Sequence, residues 1–301
     1  MSKSLKIGII GLDTSHVPAF TELLNRPEHP YHVPGGQVVA AFPGGSPDFE
    51  LSSSRVRGYT DTLAETYGVP IMKTVEDVAE ASDALLLESV DGRVHLEQFR
   101  RAAPFGKPVF IDKPFAVSSA DAREIAAIAG HYGVPLMSCS AVRYAEGLTV
   151  ELAAGGKESI FGMDCYGPTA LQATQPGLFW YGIHTVDMLY EAMGMGCLQV
   201  TATRNEDHEF VVGLWQDGRI GTIRGNRKGN NKFGALLHRE SGTRAVDVYA
   251  HEKPYYASLL ERIMTMFQTG EAPIRPEETI EIIRFIEAAN ESRESGQTIV
   301  L

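Results

Sequence analysis

The sequence has few cysteines, no long apolar run and no excess of positive charge, and each of these features argues against a class of protein. Its three cysteines, Cys139, Cys165 and Cys197, are scattered and odd in number. This pattern fits reduced thiols better than a disulfide framework or a cysteine-based zinc site, so we expect no metal. No apolar segment approaches the roughly 18 residues that indicate a membrane span. The formal net charge of -11 argues against nucleic acid or an anionic membrane as a partner.

The first residues also lack the features of a signal peptide. The start MSKSLKIGII passes from a short polar leader directly into a strand-like run, without a separate apolar region and cleavage site. We therefore expect a soluble, cytoplasmic protein. A chain of 301 residues exceeds what one ordinary core fills, so we expect two domains, at residues 1–140 and 141–301.

The first half alternates short apolar runs with helical patterns, which predicts a Rossmann-type doubly wound parallel sheet, an α/β fold. Turn-forming residues from Pro43 to Ser54 predict a long surface loop. The predicted strands are Lys6–Ile10, Gln37–Phe42, Ala84–Glu88, Pro108–Ile111 and Pro135–Ser138, and the predicted helices include Asp61–Tyr67, Val94–Ala103 and Ala120–His131.

The second half changes character and predicts an α+β domain with a mainly antiparallel open sheet. Turn signals such as Asp217-Gly218 and Ser241-Gly242 join consecutive strand-like runs. A helical pattern over Pro276–Ser295 precedes a final strand at Thr298–Leu301. The other predicted strands are Leu198–Arg204, Glu209–Trp215, Arg219–Arg224, Phe233–Arg239 and Thr243–Tyr249.

The turn after the first strand occupies the place of the glycine-rich phosphate loop of a Rossmann domain, but only Gly11 matches that motif. Asp13 and His16 replace its second and third glycines. Either this turn only caps the following helix, or the helix N terminus and the hydroxyls of Thr14 and Ser15 still meet a phosphate. In the second case we expect Asp13 to face solvent or to pair with His16. The candidate cofactor-binding residues in this loop are Gly11, Leu12, Asp13, Thr14, Ser15 and His16.

The end of the second strand lacks the acid that usually binds the adenosine ribose, because Phe42 and Pro43 stand there. A strict preference for NAD is therefore not indicated, and the choice between NAD and NADP stays open. Polar side chains in the following segment either receive a 2′-phosphate or are merely solvated. These are Ser46, Ser52–Ser54, Arg55 and Arg57.

Several motifs together resemble those of the Gfo/Idh/MocA family, named for glucose-fructose oxidoreductase, inositol dehydrogenase and a rhizopine-catabolism protein. Their order and spacing are more specific than any one of them alone. The resemblance implies a Rossmann domain followed by an α/β domain whose open sheet forms a homodimer or homotetramer interface. The matching segments are Val90–His95, Ile111–Phe115, Arg143-Tyr144, Gly182–Asp187 and Ser295–Leu301.

Lys113 matches the lysine of the family's E-K-P motif, with Asp112 in place of the glutamate. A cation at the carboxyl end of a parallel strand lies where such sheets bind ligands, and it can stabilise negative charge developing on a substrate oxygen. The alternative is a surface lysine paired with Asp112. We expect Lys113 to be catalytic and both residues to lie at the cofactor.

His184 matches the histidine that many members of the family use as an acid/base. Imidazole suits that role because its unperturbed pKa is near 6.5. Helical spacing places Tyr181 and Asp187 on the same edge, so Asp187 is expected to orient the ring and Tyr181 to supply a phenol or an apolar wall. Trp180 stands where inositol dehydrogenases carry an aspartate. The alternative is a core histidine with one hydrogen bond.

Four further residues receive roles from the resemblance alone. Ser89, Asp91 and His95 follow the strand that ends near Glu88, where family members contact the nicotinamide half of the cofactor. His95 is alternatively a structural residue that opens a helix. Arg143 is either a cofactor or substrate contact or a member of a plain salt bridge.

The resulting hypothesis is an NAD(P)-dependent dehydrogenase or reductase that acts on a small polyol, sugar or cyclitol, with His184 as base and Lys113 steadying the oxygen. The alternative is a family member with a degenerate glycine motif that binds a small molecule without redox turnover. The altered loop at Asp13 and His16 is the reason to keep this alternative.

Overall fold

The computed structural model describes residues 4–301 and divides them into two compact units. Unit 1 consists of residues up to Ala116 together with Ala120–Cys139 and Tyr256–Pro276. Unit 2 consists of Val117–Ser119, Ser140–Tyr255 and Glu277–Leu301. The units are therefore not consecutive halves of the chain: the division predicted at residue 140 places residues 256–276 in the second domain, whereas they pack in unit 1.

Unit 1 contains a five-stranded parallel sheet in the order β2-β1-β3-β4-β5, which confirms the predicted doubly wound fold. Its strands are β1 (Leu5–Ile10), β2 (Gly36–Phe42), β3 (Ala84–Leu87), β4 (Val109–Ile111) and β5 (Leu136–Met137). Its helices are α1 (His16–Asn25), α2 (Glu50–Asp61), α3 (Val75–Ala81), α4 (His95–Ala102) and α5 (Ser119–Tyr132), with α8 (Tyr255–Thr269) joining from late in the chain.

The central strands of unit 1 are buried on both faces, as the unbroken apolar run of β3 predicts. All four residues of β3 are fully buried. Parallel strands of this kind need helices on both sides of the sheet. Helix α8 supplies part of this cover, because a Cβ atom added to Gly36 would lie 2.8 Å from Cε of Met264.

The surface loop predicted from Pro43 to Ser54 is wrong in its second part, because α2 begins at Glu50. Within α2 the hydroxyl of Ser53 donates to the carbonyl oxygen of Glu50, so this serine-rich turn is compatible with helix. The helix predicted over Asp61–Tyr67 is instead the end of α2 followed by a π-helical turn at Thr62–Thr66. Helix α3 was not predicted, although Thr74 and Asp77 form a capping box at its start.

Unit 2 is built on a seven-stranded sheet in the order β11-β10-β6-β9-β8-β7-β12. Only β6 and β9 pair in parallel, so the predicted mainly antiparallel sheet is confirmed. The strands are β6 (Ile160–Pro168), β7 (Cys197–Arg204), β8 (His208–Trp215), β9 (Ile220–Asn226), β10 (Gly234–Arg239), β11 (Gly242–Asp247) and β12 (Ile299–Val300), and the helices are α6 (Glu146–Ala153), α7 (Gly182–Met193) and α9 (Pro276–Ser295).

One face of this sheet is covered and the other is open. Residues alternate between buried and exposed along β8 and β9, as expected for a sheet with one solvated face. Helix α7 packs against β6 and β9 on the covered face. Among residues 4–301, we find no helix with both the length and the apolar character needed to cross a membrane.

Candidate active site

The glycine loop of unit 1 requires a glycine at Gly11, immediately after β1. Gly11 has φ +87°, and an added Cβ atom would lie 2.2 Å from Oγ of Ser89. Its amide donates to the carbonyl oxygen of Phe42, and the Leu12 amide donates to that of Pro43. These bonds fix the loop against the end of β2. At the first glycine of the motif, both the positive φ and the closeness of Ser89 therefore require a residue without a side chain.

Asp13 is buried, points into the protein and makes none of the contacts expected from the sequence. Its Oδ2 accepts a 2.5 Å hydrogen bond from Oγ of Ser52, and its Oδ1 accepts one of 2.8 Å from the amide of Val90. Burial raises the pKa of Asp13, an effect that these two bonds oppose. The expectation that Asp13 faces solvent or pairs with His16 is therefore wrong, and the carboxylate instead ties the loop to α2 and to the segment after β3.

The start of α1 satisfies two requirements for a phosphate-binding turn. No side chain caps its N terminus, where Ser15 is the exposed N-cap residue. Nearby, Oγ of Ser89 is buried and has no hydrogen-bond partner among the described residues. Uncapped amides at a helix N terminus favour an anion, and an unpartnered buried hydroxyl indicates a missing ligand or water. The residues present thus fit a dinucleotide despite the altered motif.

The carboxyl ends of β3 and β4 bring together a buried charged group that we call the crevice cluster: His16, Glu88 and Asp112. Nδ1 of His16 lies 3.1 Å from Oδ1 of Asp112 and 3.4 Å from Oε2 of Glu88. Lys113 follows Asp112 and is only 7% exposed, so the alternative of a surface lysine is wrong. The sequence placed Lys113 correctly at a strand end.

The charges of the crevice cluster act on one another. Burial raises the pKa of Glu88 to about 7. Burial also opposes ionisation of Asp112, but the neighbouring charges of His16 and Lys113 outweigh it and lower the pKa of Asp112 to about 2. Burial opposes charge on His16 as well, but Asp112 raises the His16 pKa well above its ordinary value. An imidazolium beside an ionised Asp112 is the arrangement these directions favour.

Asp91 and His95 are held by protein groups rather than left open toward a ligand. The Asp91 carboxylate accepts bonds of 2.7 to 3.1 Å from the Arg93 guanidinium. Nε2 of His95 donates to the carbonyl oxygen of Ser89 at 2.7 Å, and the ring is fully buried. These contacts support the structural alternative for His95 and give both residues a role in shaping the segment that carries Ser89.

The segment after β2 offers fewer groups to an adenosine phosphate than the sequence indicated. Ser52 is fully buried, and its hydroxyl accepts from the amide of Ser46 and donates to Asp13. The hydroxyl of Ser54 bonds to a carbonyl oxygen of its own helix. Ser52 is therefore committed to the protein, whereas the Arg57 side chain is 92% exposed and lies 3.8 Å from Asp61.

In unit 2, His184 lies in an aromatic environment on α7. Its Nδ1 is 2.6 Å from Oγ of Ser140. The Tyr181 ring packs edge-on at 4.9 Å, and the Phe233 ring lies 5.5 Å from the imidazole. Tyr181 and Phe233 also stack on each other at 6.3 Å. His184 and Tyr181 are both half-buried, so this group, which we call the α7 cluster, combines an apolar wall with a partly accessible imidazole.

Asp187 binds groups other than the His184 ring. One carboxylate oxygen accepts from the Ser140 amide at 2.5 Å, and the other accepts from the Arg143 guanidinium at 2.7 Å. Burial raises the pKa of Asp187 to about 6, against the opposing effect of Arg143. The expectation that Asp187 orients His184 directly is not what the contacts show: Asp187 holds Ser140, and Ser140 holds the ring.

Arg143 is 3% exposed and lies among carboxylates. Its guanidinium pairs with Asp187 at 2.7 Å, with Glu191 at 2.8 Å and with Glu278. These pairs support the salt-bridge alternative over a cofactor contact, because the guanidinium already faces three acids of unit 2.

Sequence reasoning missed Glu88, Ser140 and Phe233 as members of these clusters. Glu88 carried a weak signal, since an acid directly after the apolar run of β3 falls at the ligand-binding edge of a parallel sheet. Ser140 and Phe233 carried none, because each meets His184 only through a contact distant in sequence.

Comparison with known proteins identifies the class of residues 5–139. Residues 5–139 match a family described as an oxidoreductase family with an NAD-binding Rossmann fold. This segment is therefore a dinucleotide-binding oxidoreductase domain, and the expected nicotinamide cofactor is confirmed at the level of the family. The match, over residues 5–139, is to the Gfo/Idh/MocA family that the sequence motifs indicated. The sequence has no significant match among functionally curated proteins.

Solved structures show the same fold over nearly the whole chain. A myo-inositol dehydrogenase from Corynebacterium glutamicum matches with a TM-score of 0.78 and 17% identity, covering 99% of both chains. A scyllo-inositol dehydrogenase from Lactobacillus casei gives 0.77 and 15%, covering 100% of this chain and 99% of that one. GenD2 from gentamicin A biosynthesis, in complex with NAD, gives 0.79 and 17%, covering 100% and 97%. At these identities the similarity establishes the fold.

Proposed function

We propose that the protein is an NAD(P)-dependent dehydrogenase or reductase that acts on a CH–OH group of a small polyol, sugar or cyclitol. The observation that carries the proposal is the phosphate turn: the α1 N terminus is uncapped by any side chain, and the Asp13 carboxylate is directed away into bonds with Ser52 and Val90. Inositol dehydrogenases among the structural neighbours support the class of substrate.

The cofactor would be held by the α1 N terminus, the hydroxyls of Thr14 and Ser15, and the unpartnered hydroxyl of Ser89. When bound, a nicotinamide cofactor accepts or donates the hydride. Gly11 keeps the loop close to Ser89, and no side chain at that position can be accommodated without displacing the Ser89 backbone.

Lys113 of unit 1 is assigned to the substrate oxygen. It follows β4 at the edge where parallel sheets bind ligands, and it is nearly buried, so its charge is little screened by water. A lysine there donates a hydrogen bond to the hydroxyl and stabilises the negative charge that develops when the proton leaves.

His184 of unit 2 is assigned as the base that accepts a hydroxyl proton of the substrate. When Oγ of Ser140 accepts from Nδ1–H, Nε2 carries the lone pair needed by a base. Asp187 supports this arrangement through the Ser140 amide, and Tyr181 and Phe233 give the imidazole an apolar face suited to the carbon side of a sugar ring.

The proposal is tested by fluorescence titration of the protein with NADH and NADPH, followed by turnover assays on a panel of cyclitols and sugars. We expect saturable binding of one of the two below about 1 mM. Gly11→Val, whose side chain would clash with Ser89, serves as the matched non-binding variant, with circular dichroism to verify its fold. Failure of both dinucleotides to bind would leave a binding protein without redox chemistry.

Asp13→Gly, which restores the usual glycine, is expected to lower stability and to leave dinucleotide affinity within about tenfold, or roughly 1.4 kcal/mol. The Ser52 hydroxyl and the Val90 amide would lose a buried acceptor, which costs about 1–3 kcal/mol in the free energy of unfolding. Urea unfolding and NADH titration measure the two effects.

Ser52→Ala should reproduce part of the Asp13→Gly stability loss, whereas Ser53→Ala, at an exposed position of the same helix, should not. A hundredfold gain in dinucleotide affinity in Asp13→Gly would contradict the proposal, because it would mean that Asp13 excludes the cofactor.

We also propose that the open face of the unit 2 sheet forms a homodimer or homotetramer interface. This face exposes large apolar side chains, with Phe210 39% exposed and Leu236 42% exposed. Leu236→Glu should convert the oligomer to monomer in sedimentation velocity. Val150→Glu is the control, because Val150 is 51% exposed on α6 outside this sheet. A wild-type monomer at micromolar concentration would contradict the assignment.

A further inference from the structure

The crevice cluster has a feature that the proposed redox chemistry does not explain: two fully buried carboxylates share the nitrogen of one imidazole. Both oxygens of Glu88 and both oxygens of Asp112 are buried and lack a hydrogen-bond partner among residues 4–301. Buried carboxylates are strongly unfavourable unless they are paired or bind a metal.

The nearby cation contacts compensate the cluster only in part. Nδ1 of His16 lies 3.1 Å from Asp112 and 3.4 Å from Glu88 but makes a well-aligned hydrogen bond with neither, and its side chain is 5% exposed. One imidazole nitrogen carries at most one proton, so it cannot satisfy four carboxylate oxygens. Lys113 adds positive charge beside Glu88 and Asp112.

The spacing of these atoms matches the edges of a metal coordination sphere. The metal–ligand distances for imidazole nitrogen and carboxylate oxygen are about 2.0–2.2 Å, which places neighbouring ligand atoms roughly 3.0–3.5 Å apart in octahedral or tetrahedral sites. The two contacts of Nδ1 are 3.1 and 3.4 Å, and one ligand atom from each of the three residues lies within 4.8 Å of the others.

We propose that His16, Glu88 and Asp112 bind one divalent transition-metal ion through Nδ1 and one oxygen of each carboxylate, with the ion taking the place of the proton that Nδ1 otherwise carries. A divalent cation neutralises the two carboxylates and binds oxygens that one imidazole cannot satisfy. The mixed nitrogen and oxygen donors favour a first-row ion such as Zn²⁺ or Mn²⁺ over Ca²⁺, which takes oxygen ligands. The ion joins the first turn of α1 to the ends of β3 and β4.

The sequence led us to expect no metal because its cysteines lack the spacing of a metal site. The site proposed here contains no cysteine. The ligands here are one histidine and two acids at positions 16, 88 and 112, each directly at the start or after the end of a different element. Their separation in sequence follows no metal motif, so only the fold shows that they meet.

The test uses the full-length protein, stripped with a chelator and dialysed against Zn²⁺, Mn²⁺ or Co²⁺. We expect about one equivalent of metal per chain by elemental analysis and a rise in melting temperature on loading. Co²⁺ should give visible d–d absorption that Zn²⁺ removes by displacement. These readouts need no dinucleotide and no turnover, so they separate this proposal from the proposed function.

Glu88→Gln retains the volume of the side chain and should weaken binding on the order of a hundredfold, as should His16→Ala. Glu97→Gln, an exposed acid on α4, is the matched control and should bind as the wild type does. If a variant fails to fold, the Co²⁺ spectrum of the wild type alone tests whether the protein binds the metal. Binding of less than a tenth of an equivalent of metal by the wild type, or unchanged metal binding in Glu88→Gln, would overturn the proposal. The three side chains would then interact only through shared protons.

Discussion

Lys113→Met is expected to lower kcat by about 10²–10³-fold while the protein stays folded. Methionine fills a similar volume, so the change removes the charge and its hydrogen bonds with little loss of packing. The charge is nearly buried at the end of β4, where it stabilises the oxygen of the reacting hydroxyl more strongly than an exposed lysine would. Steady-state rates with the most active polyol of the panel measure the effect.

Lys107→Met provides the control for this prediction. Lys107 lies before the same strand, at its opposite end, and is half-buried. It should retain wild-type kcat. Because Lys113 also offsets the charges of Glu88 and Asp112, Lys113→Met should lose some stability, which circular dichroism melting reports separately. Activity within about tenfold of the wild type would remove Lys113 from the mechanism.

His184→Ala is expected to lower kcat by about 10²–10⁴-fold and to change dinucleotide affinity little, because a general base acts on the proton of the substrate. The loss at acid pH that comes from protonating this base should disappear from the kcat profile of the variant. Ser140→Ala should give a smaller loss, since it removes the group at 2.6 Å that orients the ring.

The control for His184 is His251→Ala, an exposed histidine of the same unit. It should leave both kcat and its pH profile unchanged. If His184→Ala instead lowers the melting temperature and leaves the rate intact, the residue is a core histidine and the aromatic contacts of Tyr181 and Phe233 are only structural.

The sequence predicted the parts of the fold that depend on local pattern. Strand β3 was predicted from an unbroken apolar run, and α9 from a helical pattern that matches its observed bounds of Pro276–Ser295. Strand β6 and helix α8 were not predicted. The sheet that β6 joins and the unit that α8 joins depend on contacts with residues distant in sequence. A local sequence pattern contains no information about those contacts.

The candidate site likewise contains some features that the sequence predicts and others that it does not. Lys113 follows a strand and Thr14 precedes a helix, and the sequence pattern predicts both of these element ends. The placement of the two residues at the crevice was therefore predictable. The direction of the Asp13 side chain was not, because it depends on Ser52, a residue of a helix that the sequence indicated as a loop. Likewise, the contact of Ser140 with His184 joins residues 44 positions apart.

The membership of residues 256–276 in unit 1 has a consequence for the order in which the protein is made. A ribosome that has synthesised the five strands of the parallel sheet has not yet made α8, which covers Gly36 through Met264 and places Tyr256 4.6 Å from the His16 ring. Unit 1 is completed only after most of unit 2 has been translated. A fragment ending near residue 140 should therefore expose apolar surface and aggregate, and separate expression of this unit requires the α8 segment to be joined to it by a short linker.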